Sequence, residues 1–539
     1  MAGGAQLLSR LSWRKLFGRP ADSQALPDGL AAQMSRRAFA AVQAEVQTLL
    51  RERRDAFAAL LETARQLDWP PLEREKLIAY GHFYRGELAS AFSRAAAWCG
   101  GTVEAGSGAP FDADLFMLAA ISLFHNAQYE DAWRLMTRLG ERSSALAGRG
   151  DYWSIRSSIA YATGRIREAW EASEEARRLV PDDALVAQNA YALAFRLPDM
   201  AAFERLRAEI AAGRFAGKPN AFALATPILA MDDYAAGFRI WEGRYAQEDA
   251  ERYVNPALPT EKRFAARAAD WPVGRTLLVS CEQGFGDTIQ MARYFPLLTG
   301  LTGGRTIVET QPELLPLMAH NFPALRFLPR EHGKAPAVAF DFWLGSMSLP
   351  YLFGTTADDV PARPGYLVVP EEARHYWRER VAQMAAGRPR VGLAWSGSPS
   401  HRTDMQRSIP FATIAARLHD QVDMAFFALQ KAVPAARPDN LFDVSEELLT
   451  FADTAGLVAE MDLVVAVDTS VVHLAGALGK PTWLLLPYRY EWRWSLEGEG
   501  NRWYDSVRVL RQRAHGDWDP VLDEAFGARL IRQLAQRSC

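Results

Sequence analysis

The stretch from Val464 to Pro487, VVAVDTSVVHLAGALGKPTWLLLP, constrains the fold of this chain more than any other part of the sequence. It begins with a valine-rich run of the kind that is buried in a parallel sheet, and a polar turn follows directly. Helical residues then extend from Val471 to Leu478, and Gly479 and Pro481 end the helix before a second apolar run. A strand, a helix and a strand in so short a segment predict a parallel α/β sheet.

The start of this helix suits a phosphate group. Asp468, Thr469 and Ser470 offer three candidate caps, and His473 lies on the first helical turn. Free N–H groups at a helix N-terminus and the helix dipole both favour an anion there. The alternative is a well-capped helix with a histidine satisfied in the core, and this segment alone leaves both interpretations open.

Composition excludes several classes of protein. With 539 residues the chain is long enough for about three or four domains, and 49% hydrophobic residues suffice for packed cores. A net charge of −3, with the basic residues dispersed, argues against nucleic acid as a partner. The cysteines Cys99, Cys281 and Cys539 are far apart, so neither a disulfide framework nor a cysteine metal site is expected, which fits the cytoplasm.

No apolar run approaches the roughly 20 residues that span a bilayer, so no stable membrane insertion is expected. The first 50 residues are predicted to be a basic tail and a helix. Arg10, Arg14, Lys15 and Arg19 precede the first acid, Asp22. Such a tail could touch a membrane surface weakly, although a frayed basic terminus is the more common situation.

A small residue followed by an aromatic one recurs at intervals of about 34 residues. The pairs are Ala91-Phe92, Ala132-Trp133, Ala169-Trp170, Ala202-Phe203 and Gly237-Phe238. This spacing predicts helical repeats over residues 51–246, and chance spacing in an alanine-rich chain is the alternative.

The unit from Gly150 to Asp183 resembles a tetratricopeptide repeat (TPR), although two aromatic positions of that repeat are Ala160 and Ser173 here. Small Ser157 and Ala169 fall where two helices approach closely. Stacked hairpins of this kind leave a concave face that typically binds an extended peptide or another protein. Packing within an oligomer or between domains is the alternative role.

After Tyr245, apolar runs alternate with helical segments. In a first half, residues 247–370, we predict strands at Thr276–Cys281, Arg305–Thr310, Leu325–Leu328 and Val338–Phe342, and helices at Thr288–Leu298, at Pro312–Asn321 and around Ser348. A charged helix at Glu371–Ala386 opens a second half, residues 371–539, with predicted strands at Arg390–Ala394, Met424–Leu429, Leu463–Val467 and Thr482–Leu486. Two doubly wound halves that face each other would form a cleft.

The first strand of the first half runs into Glu282-Gln283-Gly284-Phe285-Gly286-Asp287. Gly284 and Gly286 let the backbone approach a ligand closely, and Asp287 lies at a helix start that faces the cleft. A carboxylate there can take the proton of an acceptor hydroxyl as a general base, and helix capping is the alternative role. The pattern is not GxGxxG, so nicotinamide binding is not indicated.

Two loops of the second half offer further ligands for phosphate. Trp395-Ser396-Gly397-Ser398 opens a polar loop that passes Arg402 and reaches Arg407, and hydroxyls together with a guanidinium can hold phosphate. Gln430 and Lys431, after the next strand, add a second donor pair. A solvated basic loop is the alternative, and we prefer it for Arg402.

Six motifs occur in a characteristic order: EQGFGDTIQMARY at Glu282–Tyr294, LAWSGSPSH at Leu393–His401, LQK at Leu429–Lys431, FADTAGLV at Phe451–Val458, VDTSVVHLAGALGKP at Val467–Pro481 and YEWRW at Tyr490–Trp494. With them the chain resembles bacterial tetratricopeptide-repeat glycosyltransferases, whose catalytic region is similar to the ADP-heptose family of GT-B enzymes. The resemblance covers most of Gly237–Gln512. It implies an α-helical TPR-like solenoid followed by a GT-B fold of two doubly wound, Rossmann-like halves.

This resemblance also implies roles for individual residues in an inverting sugar transfer from a nucleotide-sugar donor. Asp287 corresponds to the base and Arg407 to the basic phosphate contact, where the family often has lysine. Asp468, Thr469 and His473 correspond to the start of the donor-binding helix, whose amides near Ser470 would hold phosphate.

The family needs no metal, and the residues also favour none. The Asp-x-Asp triplets of the sequence are Asp112–Asp114, inside the repeats, and Asp517–Asp519, in the C-terminal tail. Neither follows a strand into the predicted cleft, so a magnesium–diphosphate site is not expected.

We therefore predict a cytoplasmic protein O-glycosyltransferase. The repeats would present a polypeptide acceptor, with flagellin as the leading candidate, and the donor would carry a nonulosonic or other bacterial sugar. A heptosyltransferase acting on lipopolysaccharide core is the first alternative, although a small glycolipid acceptor would not require long repeats. The second is a repeat scaffold with an inactive transferase-like domain, against which the joint presence of the candidate site residues argues.

Overall fold

A computed structural model describes residues 46, 49, 56–66, 69–98, 112–140, 144–197, 199–215, 220–246, 255–331, 333–362, 365–398, 404–488 and 491–535. The chain divides into two compact units, residues 2–223 and 224–539. The predicted basic tail, His401, Arg402 and Tyr490 lie outside the described residues, as do Cys99 and Cys539.

Helices dominate the described part of the first unit. They are α1 (Ala56–Gln66), α2 (Pro71–Tyr84), α3 (Leu88–Ala96), α4 (Ala113–His125), α5 (Tyr129–Gly140), α6 (Ser144–Ala147), α7 (Gly150–Ala162), α8 (Ile166–Leu179), α9 (Ala184–Arg196) and α10 (Met200–Ala211). Two more, α11 (Ala221–Ala230) and α12 (Tyr234–Trp241), lead into the second unit. The predicted small-plus-aromatic pairs fall on α3, α5, α8, α10 and α12, the second helix of each successive pair.

Small side chains let the paired helices approach closely. The hydroxyl of Ser157 on α7 donates to the carbonyl of Ala169 on α8 at 2.7 Å. A methyl group on Gly237 of α12 would lie 2.5 Å from Cδ2 of Leu229 on α11. The predicted helical pairs are therefore present in the described residues, while their assignment to a TPR-like solenoid stays a prediction.

The Asp112–Asp114 triplet serves helix packing in the first unit. Asp112 caps α4, because its side chain accepts from the N–H groups of Asp114 and Leu115. The side chain of Lys76 on α2 is nearly buried. Its Nζ lies 2.9 Å from Oδ2 of Asp112 and 3.2 Å from Oδ2 of Asp114. Arg149 lies 2.7 Å from Asp114. Both carboxylates therefore have cationic partners from neighbouring segments.

The second unit contains two parallel sheets. The strands of the first sheet are β1 (Leu277–Ser280), β2 (Thr306–Thr310), β3 (Arg326–Pro329) and β4 (Phe342–Gly345), in the order β3-β2-β1-β4. The helices between and after them are α13 (Phe285–Met291), α14 (Phe295–Thr302), α15 (Leu315–Asn321) and α16 (Leu349–Phe353).

Helix α17 (Glu371–Ala385) leads to the second sheet, which has the order β10-β9-β8-β5-β6-β7. Its strands are β5 (Arg390–Ala394), β6 (Ala425–Ala428), β7 (Leu441–Phe442), β8 (Leu463–Val467), β9 (Thr482–Leu486) and β10 (Val507–Arg511). The helices are α18 (Asp404–Arg407), α19 (Phe411–Leu418), α20 (Phe451–Ala459), α21 (Ser470–Ala477), α22 (Asp519–Phe526) and α23 (Ala528–Ala535). Every pairing between these strands is parallel, which confirms the predicted α/β class.

The helix predicted at Thr288–Leu298 is in fact two helices, and it begins earlier. Helix α13 starts at Phe285, and a 3₁₀ turn separates it from α14. Pro296 at the second position of α14 has no N–H to continue the hydrogen-bond ladder of α13, so the chain starts a new helix there. As a result Asp287 lies inside the first turn of α13 rather than before it.

The predicted strand Val338–Phe342 was placed too early. The N–H of Val338 bonds to the carbonyl of Pro336 in a turn, and the buried Trp343 and Leu344 lie in β4. The apolar patterns also do not predict β7, which is two residues long, or β10, whose Arg508 interrupts the apolar run.

Helix α12 packs on aromatic residues of the second unit. Ring centroids of Tyr234, Phe238 and Trp241 lie 6.3, 5.5 and 6.1 Å from that of Trp492, which is itself buried. The second unit thus begins at residue 224, before the repeat boundary predicted at residue 246.

A buried ion pair joins the turn after α12 to the end of β1. The guanidinium of Arg244 is fully buried and donates to Glu282 at 2.7 and 3.1 Å. It also donates to the hydroxyl of Ser348 at 2.8 Å, while Glu282 accepts from the N–H of Met347 at 3.0 Å. Because Glu282 opens the loop that leads to Asp287, this pair fixes the start of that loop.

Within the described part of the chain, no helix is long and apolar enough to cross a bilayer.

Replacing Arg244 with methionine should destabilise the second unit by about 3–5 kcal/mol, because Glu282 would remain buried without a counter-charge. Denaturant unfolding followed by tryptophan fluorescence measures the loss. Arg275→Met is the matched control, since its ion pair with Asp341 is largely exposed and should contribute about 0–1 kcal/mol. Equal losses in the two variants would contradict a structural role for the Arg244–Glu282 pair.

Candidate functional site

The candidate residues follow strands at the points where the strand order of each sheet reverses. In the second sheet the chain runs from β5 outward to β7 and then returns to place β8 on the other side of β5. In the first sheet β4 returns to the other side of β1 in the same way. Ligands of open α/β sheets bind at the carboxyl ends of strands at such switch points. The loops after β1, β5, β6 and β8 carry the predicted residues.

Asp287 occupies the third position of α13. Its Oδ2 accepts from the N–H of Gly284 at 2.9 Å, so the capping interaction weighed from the sequence is present. Its Oδ1 contacts the guanidinium of Arg493, which comes from the second half. Burial raises the pKa of Asp287, and the charge of Arg493 and the Gly284 N–H oppose that rise.

The first turns of α13 and α21 are in direct contact. A Cβ atom added to Gly286 would lie 2.6 Å from Cδ2 of His473, so only glycine fits at that position without a shift. Nδ1 of His473 lies 2.9 Å from the hydroxyl of Tyr504. Burial and the nearby Arg493 and Arg293 hold the pKa of His473 well below its usual value, so its imidazole is neutral near pH 7. The motifs of the two halves therefore meet, as predicted.

No side chain caps the N-terminus of α21 in the described structure. Thr469 is the N-cap residue, yet no side-chain capping bond is made, and its Oγ1 is buried without a hydrogen-bond partner in the described structure. The N–H of Val472 bonds to the carbonyl of Thr469 at 3.1 Å. Burial raises the pKa of the adjacent Asp468, and Arg407 opposes that rise. None of the candidate caps Asp468, Thr469 and Ser470 makes a side-chain capping bond in the described structure, which favours the anion-binding interpretation of this turn.

Arg407 joins the loop after β5 to the turn after β8. Its NH1 donates to the backbone carbonyl of Asp468 at 2.7 Å, and its Nε donates to Asp404 at 3.1 Å. Gly397 makes room for this arrangement, since a Cβ there would lie 2.4 Å from NH2 of Arg407. The guanidinium is therefore placed beside the α21 start, at the switch point of the second sheet.

Ser396 and Gln430 bind each other. Oε1 of Gln430 accepts from the N–H of Ser396 at 3.2 Å, and its Nε2 donates to the Ser396 hydroxyl at 3.0 Å. Lys431 donates to the carbonyls of Ser445 and Leu448. Ser396 and Gln430 thus shape the loop after β5, and the roles of all three residues in phosphate binding stay predictions.

The sequence analysis assigned no role to two residues of this site. Arg493 and Gln290 lie beside Asp287, and Nε of Arg493 donates to Oε1 of Gln290 at 2.6 Å. Both belong to motifs noted above, EQGFGDTIQMARY and YEWRW, but no spacing rule links positions so far apart in the sequence. Among the described residues no cluster of three or more His, Cys, Asp or Glu has metal-site geometry, and metal independence stays a prediction.

Fold and site together define a class: a helical unit followed by two parallel α/β halves, with a carboxylate from one half beside an uncapped helix start of the other.

The chain is similar to protein FlbA of Caulobacter vibrioides, with 26% identity over 401 residues, which is 67% of this chain and 63% of FlbA. The chain thus matches less than two thirds of the length of this relative. No protein-family model matches the chain.

Similar solved structures include two glycosyltransferases. One is the ADP-heptose lipopolysaccharide heptosyltransferase II of E. coli, with 16% identity and a TM-score of 0.35 over 49% of this chain and 100% of that one. The other is the O-GlcNAc transferase of Thermobaculum terrenum, with 13% identity and a TM-score of 0.28 over 89% of this chain and 94% of that one.

The low pKa of His473 predicts how the stability of the folded protein depends on pH. Its pKa is lower in the folded than in the unfolded chain, so the unfolded chain binds more protons as the pH falls below about 6.5. Wild-type stability should therefore fall toward pH 5 by up to about 1.4 kcal/mol per pH unit more than that of His473→Gln. Denaturant midpoints at several pH values measure the difference.

The exposed His375→Gln is the matched control and should retain the wild-type pH dependence. Buried carboxylates titrate equally in all three proteins, so they cancel in the comparison. Parallel pH profiles for wild type and His473→Gln would show that His473 does not carry the effect.

Proposed function

We propose that the protein is an inverting glycosyltransferase that moves a sugar from a nucleotide-sugar donor to an acceptor hydroxyl. The observation that carries this proposal is the contact between the first turn of α13, which bears the Asp287 carboxylate, and the first turn of α21. One group can accept a proton, and the other can bind a phosphate. A transferase of this kind needs both within reach of one sugar.

In the proposed reaction the acceptor hydroxyl attacks the anomeric carbon from the face opposite the nucleotide. The bond between the anomeric carbon and the phosphate oxygen breaks as the new glycosidic bond forms, and the hydroxyl proton passes to Asp287. Asp287 must be ionised to accept it, and the adjacent Arg493 favours the ionised carboxylate.

The leaving nucleotide gains negative charge on its phosphate. We assign stabilisation of that charge to the α21 start, where the amides near Ser470 and the Thr469 hydroxyl are available, and to Arg407 beside it. Thr469 supports this assignment most directly, because a buried hydroxyl without a partner is uncommon and a phosphate oxygen would satisfy it. With these donors the reaction requires no metal.

A protein is the acceptor we propose, recruited by the helical unit, with the hydroxyl supplied by Ser or Thr and flagellin as the leading candidate. Support comes from the succession of helical pairs, which extends well beyond what a small acceptor needs. The match to FlbA, at 26% identity, covers 67% of this chain, which is more than either α/β half alone.

Incubation with a panel of nucleotide sugars and a flagellin preparation, followed by intact mass measurement, tests the proposal. Wild type should add whole sugar residues to the acceptor with one donor. Asp287→Asn should lower the rate by about 10²–10⁴-fold and leave nucleotide affinity nearly unchanged. Asp423→Asn, an exposed site in the second half, is the matched control and should retain wild-type activity.

Three outcomes oppose parts of the proposal. Turnover by Asp287→Asn within about tenfold of wild type would remove Asp287 as the base. Transfer to lipopolysaccharide core in a parallel reaction, with none to flagellin, would favour the heptosyltransferase alternative. No transfer with any donor and either acceptor would leave a helical scaffold with an inactive transferase-like domain.

Removal of residues 2–223 should abolish modification of the protein acceptor but retain slow hydrolysis of the donor. The cut follows the boundary between the two compact units, so the aromatic contacts of α12 with Trp492 are retained. Nucleotide release measures hydrolysis, and circular dichroism with a nucleotide thermal shift confirms folding. Unchanged acceptor affinity in the truncated protein would reassign the helical unit to oligomerisation.

A further inference from the structure

An arginine of the second half lies on the Asp287 carboxylate. Arg493 belongs to the short 3₁₀ helix Trp492–Trp494, and its NH2 contacts Oδ1 of Asp287. The Arg493 side chain is 8% exposed and that of Asp287 is 17% exposed, so water screens the pair only in part. None of the roles derived from the motifs involves Arg493.

Two contacts besides Asp287 hold Arg493 in this position. Its guanidinium carbon lies 4.6 Å from the centroid of the Trp492 ring. Its Nε donates to Oε1 of Gln290, which lies one turn beyond Asp287 on α13. Gln290 is fully buried, and its Nε2 has no hydrogen-bond partner in the described structure, so the bond to Arg493 is what orients this amide.

We propose that Arg493 is a positioning residue for the transfer reaction. Its side chain extends from the second half, orients the Asp287 carboxylate and supplies its counter-charge. This inference rests on the proposed role of Asp287 as the base. Each carboxylate oxygen has two acceptor positions. Arg493 lies on Oδ1 and the Gly284 N–H on Oδ2, so the carboxylate is held at both of its oxygens.

The charge of Arg493 and the burial of Asp287 shift the pKa of the Asp287 carboxyl in opposite directions. Burial alone raises the pKa of its carboxyl and favours the protonated form, which cannot act as a base. Arg493 opposes that effect, and it comes from the half that would bind the donor. Arg493 therefore limits the rise in pKa that burial imposes on this carboxyl.

Several other titratable groups surround this carboxylate and its partner. Oε2 of Glu491 lies 3.6 Å from NH1 of Arg493. The charge of Glu491 raises the pKa of Asp287 and so opposes the effect of Arg493. From α21, the neutral His473 lies against Gly286, with Tyr504 behind it, and Arg293 follows α13. None of these contacts Asp287 as Arg493 does, so the effect of replacing Arg493 can be isolated.

The alternative is an ion pair that only holds the two halves together. In that case loss of Arg493 would lower activity by the same factor at every pH, because the fraction of correctly assembled protein would fall. A positioning role that includes the counter-charge predicts instead a change in the pH profile.

The experiment measures kcat/KM against pH for the full-length protein and four variants. Arg493→Gln should move the acidic limb of the profile to higher pH by about one to three pH units, the range by which an adjacent arginine shifts an aspartate. Arg493→Lys keeps the charge and should return the limb toward the wild-type position, with a lower maximal rate. Gln290→Met should lower kcat with the limb unmoved. The exposed Arg508→Gln is the control.

A uniform loss of activity in Arg493→Gln, with the acidic limb unmoved, would overturn the inference. So would equal profiles for the Gln and Lys variants, since only one of them keeps the charge.

If wild type transfers no sugar, the proposed function fails, and a second measurement still decides the role of Arg493. Carboxyl-carbon NMR of protein labelled with ¹³C-aspartate, with Asp287→Asn to identify the resonance, follows the titration of Asp287 directly. A titration at higher pH in Arg493→Gln than in wild type supports the inference, and an unchanged titration overturns it.

Discussion

The site depends on one close approach, between the first turn of α13 and the first turn of α21. Gly286 and His473 meet there with no room for a side chain on residue 286. This contact sets the separation between the Asp287 carboxylate and the uncapped start of α21. A shift of about 1 Å is enough to impair reactions that depend on orientation, so the missing side chain at Gly286 serves the relative position of the proposed base and the proposed phosphate site. Neither half contains a complete site without the other.

Two ion pairs hold the loop after β1. Arg244 and Glu282 fix the first residue of the loop after β1, and Arg493 and Asp287 lie at its far end. Between them the backbone of Gly284 donates to Asp287. A loop whose two ends are held by ion pairs has few ways to relax, and such a loop can keep a carboxylate in one orientation through a reaction. The arginine at each end comes from a segment distant in sequence.

Sequence patterns predicted the parts of the fold that depend on local order. The strand at Leu463–Val467 and the helix after it were predicted correctly because apolar runs and helix-ending residues are local signals. Strand β10 and the Arg493 contact were not, because pairing across the sheet and the partner of an arginine depend on residues far away in the chain. Gly284 and Gly286 led us to expect close approach of a ligand to the backbone, but not that Gly286 and His473 touch each other. Likewise, three polar residues before α21 indicated a side-chain cap, and the structure shows none.

The position of α12 has a consequence for how such chains are recombined. Its aromatic residues surround Trp492, the neighbour of Arg493, although in sequence it is the last of the helical repeats. The junction that preserves the α/β half therefore lies before Leu224, inside what repeat counting would treat as one array. Exchange of helices between relatives, in evolution or by design, should leave the last hairpin with the α/β halves and vary only the helices that precede it.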